Sequence, residues 1–258
     1  MTEKKPDLLQ QADLQRLEAG YTPVARYFEI TGIVGFFLTM AWVVWDFAGL
    51  MQSRLIPDAG WLIAGALIAS LLFADFASGF FHWLADNWGS PEWPIIGPGL
   101  IRPFRHHHLD AEAMTRHDFV EINGTNCLIS IPAFVAVHFL LTGPTVGSDL
   151  FWGVFWFGSA CWVFGTNQFH AWAHTRHPPQ LVLWAQRWRL ILSPANHDLH
   201  HAPPHNRNYA ITNGWTNGVT HRLHFYEGLE WLVTKVTGVR PQHAQAAAPS
   251  DPAPQLHG

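Results

Sequence analysis

Apolar residues in this chain are gathered into long runs rather than spread at a helix or strand period. The runs extend from about residue 27 to 50 (YFEITGIVGFFLTMAWVVWDFAGL), 61 to 83, 126 to 141 and 150 to 174. An α-helix rises ~1.5 Å per residue, so crossing a ~30 Å hydrocarbon layer takes about 20 apolar residues. By length and apolar content the four runs are therefore predicted to be spanning helices. The third is short for that task, and tilt, partial re-entry or an N-terminal extension would each accommodate it. The pattern predicts an all-α integral membrane protein with four transmembrane helices, its membrane domain covering residues 27 to 240. Residues 1 to 26 are a polar arm with no apolar stretch behind Lys4 and Lys5, unlike a signal peptide. Residues 241 to 258, rich in Pro, Ala and Gln, read as a disordered tail in which His243 and His257 are expected to be idle.

Charge orients this scheme. With four spans, the N-terminal arm, the loop from 84 to 125 and the C-terminal region share one side of the membrane. They carry Lys4, Lys5, Arg16 and Arg26, then Arg102, Arg105 and Arg116, then Arg176, Arg187, Arg189, Arg207, Arg222, Lys235 and Arg240; the other side has only Arg54. Because Lys and Arg concentrate in cytoplasmic loops, both termini and the long loop are expected in the cytoplasm.

Composition supports a bilayer and narrows the chemistry. The chain is 48% hydrophobic and 13% charged, with 14 Trp and 18 Phe, too apolar and aromatic for an ordinary soluble domain. A net charge of -4 excludes the basic excess that nucleic acid would require. Two cysteines, Cys127 and Cys161, both in apolar stretches, build neither a disulfide framework nor a Cys-based zinc site. Histidine is the abundant ligand type, with 17 residues against 15 Lys and Arg together.

The predicted topology collects these histidines on one membrane face. The second run ends in FADFASGFFHWLAD, where His82 and Asp86 lie four apart on one side of a helix. The fourth ends in NQFHAWAH, giving His170 and His174 the same spacing at the same depth. FRHHHLD supplies His106, His107 and His108, and SPANHDLHHAPPH supplies His197, His200, His201 and His205. Any one pair could cap a helix or bond within a core, and the HHH run alone could be a solvated loop. Four remote clusters on one face are better explained by a metal. His138 sits in the third run, away from that face, and is expected to be a buried, hydrogen-bonded histidine.

Eight histidines and an aspartate exceed the ligand set of one zinc and suit two ions with positions left open. Imidazole accepts Fe, Zn, Cu or Ni, so ligand type alone does not select among them. H-E-x-x-H is absent, which removes the usual zincin arrangement. Nitrogen-rich ligation of two irons would support dioxygen activation against an unactivated C–H bond, and so an oxidase of lipid.

The stretch ADFASGFFHWLADNWGSPEWPIIGPGLIRPFRHHHLDAEAMTRHDFVEINGTN, followed by HAWAH and HDLHH, resembles the Kua/CarF-type plasmanylethanolamine desaturase family from about residue 60 to 240. The resemblance implies an integral-membrane di-iron enzyme. Such an enzyme uses O2 and two electrons to convert the 1-O-alkyl ether of a phospholipid into the 1-alkenyl ether of a plasmalogen. It implies the ligands His82, Asp86, His107, His108, His170, His174, His197, His200 and His201. His106 falls where the family need not have histidine, and Ala111 replaces the usual proline of that segment.

The remaining features fit a lipid substrate. Residues 181 to 192 and about 222 to 236 mix aromatic and aliphatic side chains with Arg and Lys, as interfacial helices do; packing on the bundle is the alternative. Arg102 and Arg105 are candidates for holding a headgroup phosphate. His117, Asp118, Glu121, Asn123, Asn126 and His205 are candidates for orienting ligand imidazoles through hydrogen bonds. No nucleotide fingerprint or haem-attachment motif occurs, so electrons are expected from a separate cytochrome b5-like or ferredoxin-like donor. An acyl-chain desaturase or a hydroxylase would use the same di-iron centre. A non-enzymatic membrane protein binding metal for transport or for a regulatory partner is the alternative of another class.

Overall fold

A computed structural model of the protein describes residues 22–53, 56–94, 96–142 and 147–246. The polar arm up to residue 21, Arg54, and the tail beyond 246 with His257 lie outside the described residues. Ten α-helices run through the described chain: α1 (Pro23–Ser53), α2 (Ala59–Asn87), α3 (Arg102–Leu109), α4 (Phe119–Leu141), α5 (Gly147–His174), α6 (Gln180–Arg187), α7 (Pro194–His201), α8 (Asn217–Arg222), α9 (Phe225–Thr237) and α10 (Gln242–Ala246). Among the described residues there is no strand.

Among the described residues, three helices are long and apolar enough to cross a membrane: Pro23–Gln52, Ala59–Asn87 and Phe119–Leu141. The fourth expected span forms as α5, whose 28 residues have the length, but it is not among those three. Its Trp, Gly, Ser and Asn residues dilute its hydropathy. The third run is extended at its N-terminus: Asp118 caps α4 by accepting from the backbone N–H groups of Val120 and Glu121 at 3.0 and 3.1 Å. This satisfies donors that a helix start otherwise leaves without partners.

α4 packs between α1 and α5, and α5 packs in turn on α2. Their shared core holds Phe36, Val43, Phe134, Val137, Leu150 and Val154. Phe36 meets Phe134 and Phe164 at centroid distances of 5.1 and 4.8 Å. The bundle turns large apolar side chains outward as well, among them Leu38, Trp45 and Ile129, as a surface bathed in lipid does and a water-exposed one rarely does. At the end opposite the histidine clusters, His138 Nδ1 lies 2.8 Å from Asp46 Oδ2, with the ring against Trp42. It is hydrogen-bonded as its position predicts, but half-buried rather than buried.

The short helices gather at the other end. α3 and α7 lie with the C-terminal ends of α2 and α5, and the irregular segment from 205 to 216 runs along α2, buried from 209 to 214. Gly79 permits this approach, since a Cβ there would lie 2.9 Å from the backbone nitrogen of Ala210. α9 completes this end with Tyr226, which packs with Trp83 and Tyr209.

Candidate metal centre

Each ligand-bearing segment has a local reason for its shape. α2 and α5 place His82/Asp86 and His170/His174 one turn apart at their ends. α3 begins with a proline in its first turn and carries His106, His107 and His108 in its last. It is tied to α2 by Arg105, whose Nε donates to Ala85 O at 3.2 Å and whose Nη2 donates to Trp88 O and Gly89 O at 3.0 and 3.1 Å. α7 also starts at a proline and stops at His201, because Pro203 and Pro204 cannot extend it.

All nine expected ligands meet there. Nε2 of His197 lies 2.8 Å from that of His170, 2.9 Å from His174 and 3.0 Å from His201. These four with His107 form one convergent set; His82, His107, His108 and His200 form a second. Asp86 joins the second through Oδ2, which is 3.3, 3.1 and 3.4 Å from Nε2 of His82, His108 and His200. His107 belongs to both sets, and neither of its ring nitrogens has a hydrogen-bond partner. His106 is buried but belongs to neither set.

The hydrogen-bond pattern suits a cation. His82 Nδ1 is 2.9 Å from the carbonyl oxygen of Tyr209, and His200 Nδ1 is 2.9 Å from that of Arg207. A carbonyl only accepts, so both Nδ1 atoms carry the proton and both Nε2 lone pairs point inward at the Asp86 carboxylate. Acceptors facing acceptors in a buried space repel unless a positive ion lies between them. Similarly, the single proton that His197 Nε2 could carry cannot satisfy three neighbouring nitrogens. The N···N separations also fit: ligands ~2.0–2.1 Å from one ion lie ~2.9–3.4 Å from each other. Burial, reinforced by neighbouring imidazoles, holds His107 and His197 well below the usual histidine range and takes His201 down to about 2. These three rings are therefore neutral at pH 7, the form that binds metal.

The expected supporting residues divide. His205 donates from Nδ1 to His200 O at 3.2 Å and lies 5.0 Å, centroid to centroid, from His108. The others are engaged elsewhere. Asn123 donates to Gln168 Oε1 at 3.0 Å and Asn126 to Val163 O at 2.8 Å, both tying α4 to α5. His117 faces Glu121 at 3.3 Å. Asp118 pairs with Arg26 at 2.7 Å, and this bond, with the α4 N–H groups, lowers its carboxyl to about 2. Of these six, among the described residues, His205 alone hydrogen-bonds to the cluster. Arg105, expected at a headgroup, is instead committed to the end of α2, whereas Nε of Arg102 is buried without a hydrogen-bond partner.

Sequence reasoning missed the groups that orient the imidazoles. The carbonyls of Tyr209 and Arg207 belong to backbone and leave no trace in residue identity. Asn87, which donates to Tyr209 Oη at 3.2 Å, follows Asp86 directly and was legible only as a helix end. His243 is engaged as well: its Nδ1 donates to Asn87 Oδ1 at 2.8 Å.

A model of the lipid desaturase domain matches residues 71–244. The chain is 44% identical over 242 residues to the plasmanylethanolamine desaturase of Myxococcus xanthus, covering 93% of this chain and 83% of that protein. It is 37% identical over 237 residues to plasmanylethanolamine desaturase 1 of Mus musculus, covering 90% and 86%. To the chloroplastic fatty acid desaturase 4 of Arabidopsis thaliana it is 33% identical over 177 residues, covering 67% and 52%. No solved structure matches. A matched domain that contains every residue of the buried histidine cluster, with relatives aligned over most of the chain, makes this membrane protein a member of the lipid desaturase family.

Proposed function

We propose that this protein is an O2-dependent plasmanylethanolamine desaturase. It would introduce the 1-alkenyl double bond into a 1-O-alkyl phospholipid at a di-iron centre. The observation that carries this reading is the paired histidine centre, all of whose ligands lie in a domain aligned with enzymes of that name. The balance is one CH2–CH2 unit and O2, with two electrons and two protons, giving CH=CH and two waters. Two irons, when bound, supply the dioxygen chemistry that removes the hydrogens. His170, His174, His197 and His201 would hold one and His82, Asp86, His108 and His200 the other, with His107 between them. The electrons would come from a cytochrome b5-like or ferredoxin-like donor.

The protein's own contribution is placement, because selectivity on a flexible alkyl chain depends on which C–H is held against the centre. Arg102, with its buried Nε lacking a hydrogen-bond partner, suits the phosphate of the headgroup. Leu181 and Trp184 on α6, Trp188 just after it, and Trp231 and Val236 on α9 are exposed apolar side chains near Arg and Lys, as expected of helices lying in the interface. α5 would be the fourth span, which puts both termini and the metal-binding end in the cytoplasm, in agreement with the Lys and Arg distribution. An acyl-chain desaturase is the second reading, favoured by the chloroplastic relative, whose identity and coverage are lower.

The test is the lipid product. Extracts of cells expressing the protein, given a 1-O-alkyl phospholipid and treated with mild acid, should release long-chain aldehydes detectable by mass spectrometry, and cells without it should not. A new double bond confined to an ester-linked acyl chain would replace the first reading with the second.

A further inference from the structure

Asp75 is a fully buried carboxylate two helical turns before His82 on α2, and it belongs to neither ligand set. Placing a carboxylate at that depth is unfavourable unless hydrogen bonds replace its water. Here they all come from one turn. Oδ1 accepts from the backbone N–H groups of Asn213 and Gly214, each at 2.8 Å. Oδ2 accepts from Thr216 N at 2.8 Å and Thr216 Oγ1 at 2.7 Å. Gly214, at φ 77°, allows successive N–H groups to face one oxygen, an arrangement a side chain would strain.

From that anchor the segment before the turn runs back along α2 in fixed register. Ile211 N donates to Ser78 Oγ at 3.1 Å, Ala210 lies against Gly79, and Tyr209 O accepts a hydrogen bond from His82 Nδ1. Two residues further, Arg207 O accepts one from His200 Nδ1. Asn208 and Asn217 stitch the same segment to Asn196, the neighbour of His197 on α7. One stretch of backbone therefore sets the tautomer of two inward-facing imidazoles, and Asp75 sets where that stretch lies.

We infer that Asp75 is a positioning residue for the metal set of His82, Asp86, His108 and His200, acting through the 207–216 segment. The inference rests on the two-metal reading above. Orienting partners of ligand histidines typically change metal affinity ~10–100-fold. In Asp75→Asn the amide keeps one acceptor but turns its NH2 toward the Thr216 donors, which destroys the register at one end.

The full chain in nanodiscs, loaded with iron and washed, is analysed for iron per chain and by Mössbauer spectroscopy. Wild type should hold about two irons in coupled form. Asp75→Asn should keep its helicity while losing one iron and the coupling, leaving a mononuclear signal. Thr216→Val removes only the hydroxyl donor and should show a smaller loss in the same set; it carries the test alone if Asp75→Asn does not fold. Two coupled irons with unchanged affinity in a folded variant would overturn the role. So would parallel loss of both irons in a variant that keeps its helicity, which would show no bias toward the His82, Asp86, His108 and His200 set. Wild type without an iron pair would instead defeat the two-metal reading itself.

Discussion

Replacing Gly79 by Ala tests whether the close approach of the 209–211 backbone to α2 is what aims His82. In an isolated helix the change stabilises by ~0.8–1.0 kcal/mol, because Ala loses less backbone freedom than Gly. Here the new methyl would lie 2.6 Å from Tyr226 Oη, 2.9 Å from Ala210 N and 3.0 Å from Ala210 Cα. Ordinary contacts are ~3.5–4.0 Å, so the segment must retreat by roughly 0.5–1 Å, at ~1–3 kcal/mol typical of overpacking. The net is a loss of about 0–2 kcal/mol. The larger effect is on function. Such a retreat stretches the 2.9 Å contact between Tyr209 O and His82 Nδ1 past hydrogen-bonding distance, and metal affinity should fall at least about tenfold. Thermal unfolding in detergent reads the first quantity, and iron content with vinyl ether formation reads the second. A Gly79→Ala protein that is more stable than wild type and fully active would refute the reasoning.

His197 is the hub of three Nε2 contacts, so His197→Ala should abolish vinyl ether formation, while His205→Ala, which touches the cluster from outside, should keep measurable activity; equal inactivation of both at matched membrane levels contradicts that division. The metal-free protein should lose stability on acidification. Burial depresses His107, His197 and His201 in the folded state, so below about pH 6.5 the unfolded chain binds more protons. Melting temperature should fall from pH 6.5 to 5 and stay flat from 7 to 8. Arg102→Gln should raise KM for the phospholipid several-fold with little change in kcat, and a pure kcat loss would remove Arg102 from headgroup binding. Reporter fusions between the first two helices and at residue 258 should fall on opposite sides of the membrane, and the same side for both would exclude four spans.

The sequence made the centre legible because its signals are side chains at helical spacing: His82 with Asp86, His170 with His174, and His197 with His200 and His201. Its third run began at 126, short of the Phe119 start of α4, because Glu121 and Asn123 interrupt the apolar run, whereas Asn123 bonds across to α5 inside the bundle. Arg105 resembled a headgroup ligand for the same reason that it seals α2: its fork of donors suits any cluster of acceptor oxygens. The carbonyls of Tyr209 and Arg207 had no signal at all, since every residue has one and only the fold chooses which are used. Asp75 did stand in the ADFASG stretch, seven residues before His82, but its partners lie 138 to 141 positions away.

The order of the ligands along the chain bears on how the protein is made. Both histidine sets draw on α7, one through His197 and His201 and the other through His200. Their orienting carbonyls follow at Arg207 and Tyr209. A ribosome must therefore complete α1, α2, α4 and α5 before either pocket has its full ligand set. A metal ion that used either full set would therefore bind only after α7 and the 207–209 segment are made. A chain stopped before residue 197 would carry the imidazoles of α2, α3 and α5 without the three from α7 that complete both sets.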